Sequence, residues 1–388
     1  MKTKVMIALN TAWNLYNFRA GLIRALVAEG YEVVAVAPQD KYAARLSGLG
    51  CRFVPLAMDN GGTNPLKDLL LLWRFYSLLS KERPNVFLGY TVKPNVYGSL
   101  AAHAQRIPVV NNIAGLGAVF NKDTWLTRLV RELYRVALSR SRCVFFQNND
   151  DLQLFVRTGL VAPEKVSRLP GSGIDLRAYQ LVTKQASDGR AALRFLLVAR
   201  MLRDKGVVEY VDAARIVHRS FPDVEFCLLG FVDVKNPTAI SSEQMDAWVK
   251  EGVVRYLGET DDVRPHLAAA DCVVLPSYSE GTPRSLLEAA AMGKPIITTD
   301  AAGCRDVVDD GVNGFLCRLR DADDLAGKML RMLQLSPESR ARMGMYGREK
   351  MEREFDEKIV ITHYLSMIKR IPNVSPGFLA ATSQSAPP

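Results

Sequence analysis

Residues 272–298 read Cys272-Val273-Val274-Leu275-Pro276-Ser277-Tyr278-Ser279-Glu280-Gly281-Thr282-Pro283-Arg284-Ser285-Leu286-Leu287-Glu288-Ala289-Ala290-Ala291-Met292-Gly293-Lys294-Pro295-Ile296-Ile297-Thr298. Four apolar residues form a short buried strand, a Gly/Pro loop turns the chain, residues 284–292 follow with helical spacing, and a second apolar run begins at Ile296. This is a βαβ unit, which requires a parallel sheet. The same alternation extends to both ends. Strands are expected at 4–9, 32–37, 51–56, 86–89, 109–112 and 143–147, then at 195–199, 225–229, 253–257, 272–275 and 296–298. Helices are expected at about 18–29, 41–48, 66–81, 95–105 and 124–140, then at 206–219, 241–250, 261–269 and 284–292. The fold class is therefore α/β, with two Rossmann-like, doubly wound parallel-sheet domains facing across a cleft. Ligands in such sheets bind beyond the carboxyl ends of the strands.

The 388 residues suit two domains, and 48% apolar with 23% charged residues is an ordinary globular composition. Disorder as the main state, coiled coils and small staple-dependent modules are excluded. The net charge of +9 is unevenly placed. Residues 1–180 hold 23 basic and 12 acidic side chains, a net of +11, whereas the remainder is at −2. Six cysteines show no C-x-x-C pair, and four histidines offer no zinc spacing, so the thiols read as buried and reduced, with no metal. The first residues lack a signal-peptide pattern and no run of about 18 apolar residues occurs, so a cytoplasmic protein with at most peripheral membrane contact is expected.

The loop opening at Pro276 delivers backbone amides at a helix start, where unpaired donors and partial positive charge favour a diphosphate. Pro283 suits the first helical turn. Glu280 and Glu288 beside such an anion site suit sugar or ribose hydroxyls; by spacing alone they are equally a solvated loop residue and a helix-surface residue. Arg200 and Lys205 follow the first strand of the second half, in a turn ended by Gly206. Both can serve a leaving diphosphate, or be surface charge with Arg203 and Asp204 pairing locally.

The first half has no G-x-G-x-x-G after its first strand, which argues against a dinucleotide held there. Gly115 and Gly117 follow a strand and permit close backbone approach, or form a plain turn. Residues 124–142 set Arg128, Arg131 and Arg135 opposite an apolar face. Residues 66–83 combine Leu69 to Trp73, Phe75 and Tyr76 with Lys67, Arg74, Lys81 and Arg83. With the +11 half-charge these segments are expected on an anionic membrane surface; a helix covering a sheet with its arginines in water is the alternative. No nucleic-acid recognition motif is present.

Together, P-S-x-x-E-G-x-P with Glu280-x7-Glu288, and Arg200-x4-Lys205-Gly206 about 80 residues earlier, resemble the retaining, nucleotide-sugar-dependent glycosyltransferases of the GT-B architecture, family 4. The resemblance runs from Phe18-Arg19 to Asp356. It is strongest to members that extend polyprenyl-diphosphate-linked saccharides, including α-1,3-N-acetylgalactosaminyltransferases, through Phe18-Arg19, Gly115-Leu116-Gly117 and residues 92–98. It implies that Arg200 and Lys205 bind the diphosphate of a UDP-sugar, Glu288 the ribose and Glu280 the transferred sugar. The amides of Gly281, Thr282, Pro283, Arg284 and Ser285 would complete the donor site. Asn14, Phe18, Arg19, Lys93, Gly115 and Gly117 would face the lipid-linked acceptor. No cofactor or metal is implied. It also implies domains at 1–172 (acceptor-binding) and 193–355 (donor-binding) and a helix at 356–371 crossing back to the first domain; composition and lack of periodicity make 173–192 a linker and the Ser/Pro/Ala-rich 372–388 a disordered tail. Many relatives carry a histidine in the loop after the fourth strand; residues 89–95 have none, and Lys93 stands as a possible substitute. The expected reaction is metal-independent transfer with retention, on the inner face of the cytoplasmic membrane. A nucleotide-sugar epimerase needs several ionisable groups at the sugar carbon, and the scarcity of loop histidines argues against it; a non-catalytic two-lobed sugar-binding protein would not need Arg200 with Lys205.

Overall fold

The computed structural model describes residues 2–59, 62, 64–115, 125–181, 193–372 and 374. The first sheet contains β1 (Lys4–Ala8), β2 (Glu32–Ala37), β3 (Arg52–Pro55), β4 (Val86–Tyr90), β5 (Val109–Ile113), β6 (Cys143–Phe146) and β7 (Val166–Arg168), in the order 3-2-1-4-5-6-7. The second contains β8 (Arg194–Val198), β9 (Glu225–Leu229), β10 (Arg255–Tyr256), β11 (Cys272–Leu275), β12 (Ile296–Thr299) and β13 (Gly314–Cys317), in the order 10-9-8-11-12-13. Every strand pairing is parallel. The expected doubly wound pair of sheets is therefore present, each with one strand more than the sequence suggested, β7 and β13.

The helices are α1 (Ala12–Ala28), α2 (Ala43–Leu46), α3 (Pro65–Glu82), α4 (Ser99–Ala104), α5 (Trp125–Leu138) and α6 (Asn149–Arg157) in the first half. The second half adds α7 (Val207–His218), α8 (Ser242–Glu251), α9 (Arg264–Ala269), α10 (Arg284–Ala291), α11 (Ala322–Gln334), α12 (Pro337–Lys350) and α13 (Glu357–Lys369). Side chains alternate across each strand, so one strand feeds two cores. On β1, Val5 and Ile7 join Leu22 and Leu26 of α1, while Met6 and Ala8 join Phe75 and Leu79 of α3. On β8, Phe195 and Leu197 meet Tyr210 and Ala214 of α7, while Leu196 meets Leu287 and Ala290 of α10.

The chain crosses between the halves twice. Part of the expected linker is ordered and packed: Ile174 is fully buried, bridges to Asp356, and joins the second-half core with Leu176 and Tyr179. Residues 182–192 of that linker lie outside the described residues. Helix α13 returns to the first half, burying Val360, Tyr364 and Ile368 against β1 and α1. Most of the expected tail lies outside the described residues, but Val374 is buried there too, its carbonyl accepting from Tyr31 Oη at 3.3 Å.

In both sheets the strand order reverses once, between β1 and β4 and between β8 and β11. The crevice at such a point is open for a ligand, because the loops on either side diverge. The segments 199–206 and 276–283 flank the second crevice.

Candidate active site

Two loops of the second half are locked together beneath the cleft. Gly206 has φ +71, and a Cβ there would stand 2.1 Å from the Pro276 carbonyl oxygen, so only glycine lets the loop after β8 lie against the loop after β11. The Asp204 carbonyl then accepts from Tyr278 N at 3.0 Å and from Ser277 Oγ at 3.1 Å. Gly206→Ala is expected to lose about 2–4 kcal/mol of stability, from strained backbone and colliding loops, measured by denaturant unfolding. Asp204 does not form the local pair with Arg203 considered above; its carboxylate accepts from Thr238 Oγ1 at 3.2 Å.

This join brings Lys205 and Glu280 into a direct, part-buried ion pair. Arg200 lies at the carboxyl end of β8 with an exposed guanidinium that makes no ion pair among the described residues. Pro283 is the N-cap of α10 rather than its first helical residue, with φ −71° and ψ 113°, and no side chain caps the helix. Proline has no N–H, so the expected ring of amides is reduced to Gly281, Thr282, Arg284 and Ser285.

Glu288 is buried one turn into α10, and burial raises its pKa above the ordinary carboxylate range against the opposing pull of Arg284. Its Oε1 accepts from Tyr179 Oη at 2.9 Å and from Arg284 Nε at 3.0 Å. Arg284 also donates to the Gly173 carbonyl at 2.6 Å and lies 5.5 Å from the Phe18 ring centre. Its guanidinium thus ties Glu288, the interdomain passage and α1 together.

The first half closes onto this loop. Asn148, fully buried after β6, caps α6 by accepting from Asp151 N at 2.8 Å, and its Nδ2 donates to the carbonyls of Glu280 and Gly281 at 3.0 and 3.1 Å. Thr282 Oγ1 donates to the Gln147 carbonyl at 3.0 Å. Gly115, with φ +114, sits where a Cβ would be 3.1 Å from Gly281 N.

The remaining expected residues are placed as follows. Arg19 is buried with its guanidinium 4.5 Å from the Tyr90 ring centre, and Asn14 is half-buried in the first turn of α1. Lys93 is held by Asp68 at 2.7 Å. Gly117 lies outside the described residues. On α5, Arg128 is exposed, while Arg135 is engaged by Glu132 and the Gly159 carbonyl. All six cysteines are free and buried. The structure thus gathers Lys205, Glu280, Gly281, Thr282, Arg284, Glu288, Phe18 and Gly115 around one loop. It ties Lys93 to α3, and among the described residues Asn14 makes no hydrogen bond to that loop. The sequence reading missed Asn148 and Tyr179. For Asn148 a signal existed, since it follows a strand and opens an Asp-rich first helical turn; for Tyr179 there was none.

Comparison with known proteins bears on the family and the fold. Residues 18–171 match the glycosyl transferase 4-like domain and residues 192–335 match the glycosyl transferases of group 1. The chain is 27% identical over 374 residues to an N,N'-diacetylbacillosaminyl-diphospho-undecaprenol alpha-1,3-N-acetylgalactosaminyltransferase of Campylobacter jejuni, covering 92% of this chain and 96% of that one. It is also 27% identical over 290 residues to an Escherichia coli UDP-Gal:alpha-D-GlcNAc-diphosphoundecaprenol alpha-1,3-galactosyltransferase, covering 72% and 74% of the two chains. Among solved structures, Anabaena HepE in complex with UDP and glucose superposes with a TM-score of 0.77 at 18% identity, over 95% of this chain and 100% of that one. That likeness shows a shared fold.

Proposed function

Because the chain belongs to the glycosyltransferases, with a glycosyl transferase 4-like first half and a group 1 second half, we propose that it moves a hexose or N-acetylhexosamine from a UDP-sugar to a polyprenyl-diphosphate-linked saccharide. The carrying observation is the Lys205–Glu280 pair at the β8/β11 switch point, beside the uncapped start of α10. A cation next to free amides suits a diphosphate on which negative charge grows as the sugar leaves. The similarity to two enzymes named for diphospho-undecaprenol-linked substrates supports the acceptor class.

In this reading Arg200 and Lys205 hold the donor diphosphate, Glu288 the ribose hydroxyls, and Glu280 a hydroxyl of the transferred sugar. The acceptor hydroxyl oxygen bonds to the anomeric carbon on the face from which UDP departs. The bond from that carbon to the diphosphate breaks, and the acceptor proton passes to a diphosphate oxygen, so configuration is retained. Side-chain cations and helix amides supply the stabilisation that a divalent cation would otherwise give. Phe18, Arg19 and Gly115 flank the acceptor side of the cleft. The enzyme would work as a peripheral protein at the inner face of the cytoplasmic membrane.

The test is a donor screen with UDP-, GDP- and ADP-sugars, read as mass of the extended lipid. UDP release that rises only when lipid-diphosphate-linked saccharide is added is the expected outcome. Release independent of acceptor, or a chemically altered nucleotide-sugar, would contradict the proposal. Glu288→Ala is expected to weaken UDP binding about 10–100-fold by calorimetry, since two charge-assisted contacts are lost. Undiminished UDP affinity would remove Glu288 from the ribose site.

A further inference from the structure

Helix α3 is amphipathic twice over. Leu71, Phe75 and Leu79 are buried against the first sheet, and Glu82 on the same face is buried and paired with Arg52 and Lys4. On the opposite face Leu66, Leu69, Leu70, Trp73 and Tyr76 are exposed, at 78%, 64%, 44%, 63% and 47%. At 100° per residue these five fall within an arc of about 120°, a continuous stripe facing away from the core. Scattered surface leucines need no explanation, but a contiguous stripe with a tryptophan and a tyrosine does.

The surrounding charge points to what covers it. The two carboxylates of α3 are turned to internal partners, Asp68 to Lys93 and Glu82 to Arg52 and Lys4. The cations Lys67, which lies 3.6 Å from Asp59, Lys81 and the C-capping Arg83 remain exposed along the helix. This stripe lies in the half of the chain that carries +11. A second copy would oppose like charge to like charge, whereas an anionic leaflet neutralises it. The stripe also adjoins the cleft: the Asp68–Lys93 pair fixes the first turn of α3 to the segment after β4, at the carboxyl ends of the strands, where Val92 is itself exposed.

We propose that the outer face of α3 inserts into the headgroup boundary of an anionic bilayer, with Leu69, Leu70 and Trp73 as the apolar wedge and the Lys/Arg flank on the phosphates. Aromatic and long basic side chains are suited to that depth. This shifts the principal membrane contact from the arginines of α5, where the exposed Arg135 is already paired with Glu132, to α3. Its use to the enzyme rests on the lipid-linked acceptor, because a cleft rim resting on the leaflet meets a carrier diphosphate at its own depth.

The test uses the full chain and vesicles of phosphatidylcholine with about 30 mol % phosphatidylglycerol. The triple variant Leu69→Ser/Leu70→Ser/Trp73→Ser changes only exposed positions, so an unaltered unfolding midpoint is expected. Its vesicle partitioning should fall about tenfold or more, including at about 0.5 M salt where electrostatic attraction is screened. Transfer to a short-chain, detergent-free acceptor should be unchanged, which separates a failure of this face from a failure of the transferase reading. Equal partitioning of variant and parent would overturn the proposal. So would a concentration-dependent dimer of the parent, abolished in the variant, since the stripe would then face a second copy.

Discussion

Lys205→Ala is expected to lower kcat about 10²–10⁴-fold while the protein stays folded. Two effects add. The ammonium that would meet the departing diphosphate is lost, and such preorganised charge in a water-poor site is worth several kcal/mol of barrier. In addition, Glu280, now held by Lys205 in a part-buried pair, becomes an unopposed carboxylate beside the phosphates and repels them. Lys205→Ala/Glu280→Gln should therefore recover part of the donor affinity lost in the single variant, without recovering kcat. A single variant with near-normal turnover would remove Lys205 from the reaction. Steady-state kinetics with saturating donor and acceptor, beside a calorimetric Kd for UDP, separates the two contributions.

The second large effect is expected at Asn148. Its amide reaches across the cleft to the Glu280 and Gly281 carbonyls while capping α6, so it sets the height of the loop after β11. Asn148→Asp places a carboxylate oxygen against those two carbonyls and against Asp151, whose own pKa burial already raises to about 6. The buried, unpaired charge should cost about 3–5 kcal/mol or force the halves apart. Transfer should fall about 10²-fold or more with the UDP Kd changed far less, because the residue touches loop backbone and acts through Glu280. Asn148→Ala removes the donors without adding charge and should sit between the parent and Asn148→Asp on both measures. Equal losses of UDP affinity and turnover in both variants would indicate a general loss of structure.

Much of the fold could be read from residues 4–9, 32–37, 225–229 and 272–275 because central parallel strands are buried on both faces and appear as uninterrupted apolar runs. β7 escaped notice because Val166-Ser167-Arg168 is an edge strand with two polar residues of three. Helix α12 escaped it because it packs by close approach rather than by an apolar stripe: a Cβ on Gly344 would lie 1.9 Å from the Gly293 carbonyl oxygen. At the site, strand–loop–helix order put Lys205 and Glu280 in loops that follow strands, and the family resemblance assigned both to one donor site; that the two strands are neighbours and the side chains pair is visible only in the structure. The Arg284–Glu288 pair is an i,i+4 spacing on one helix and could have been read. The order could not show that Arg284 also reaches Gly173, nor that Lys93 is bound to Asp68, because those partners are distant in sequence and lie on other segments.

In the proposed reaction second-half cations gather on the nucleotide diphosphate in the cleft between the halves. A crystal structure with bound UDP is the decisive measurement. The diphosphate is expected at the start of α10, with Lys205 Nζ moved from Glu280 onto a phosphate oxygen and Arg200 turned toward it. UDP bound elsewhere, with the Lys205–Glu280 pair intact and Arg200 still in solvent, would contradict it.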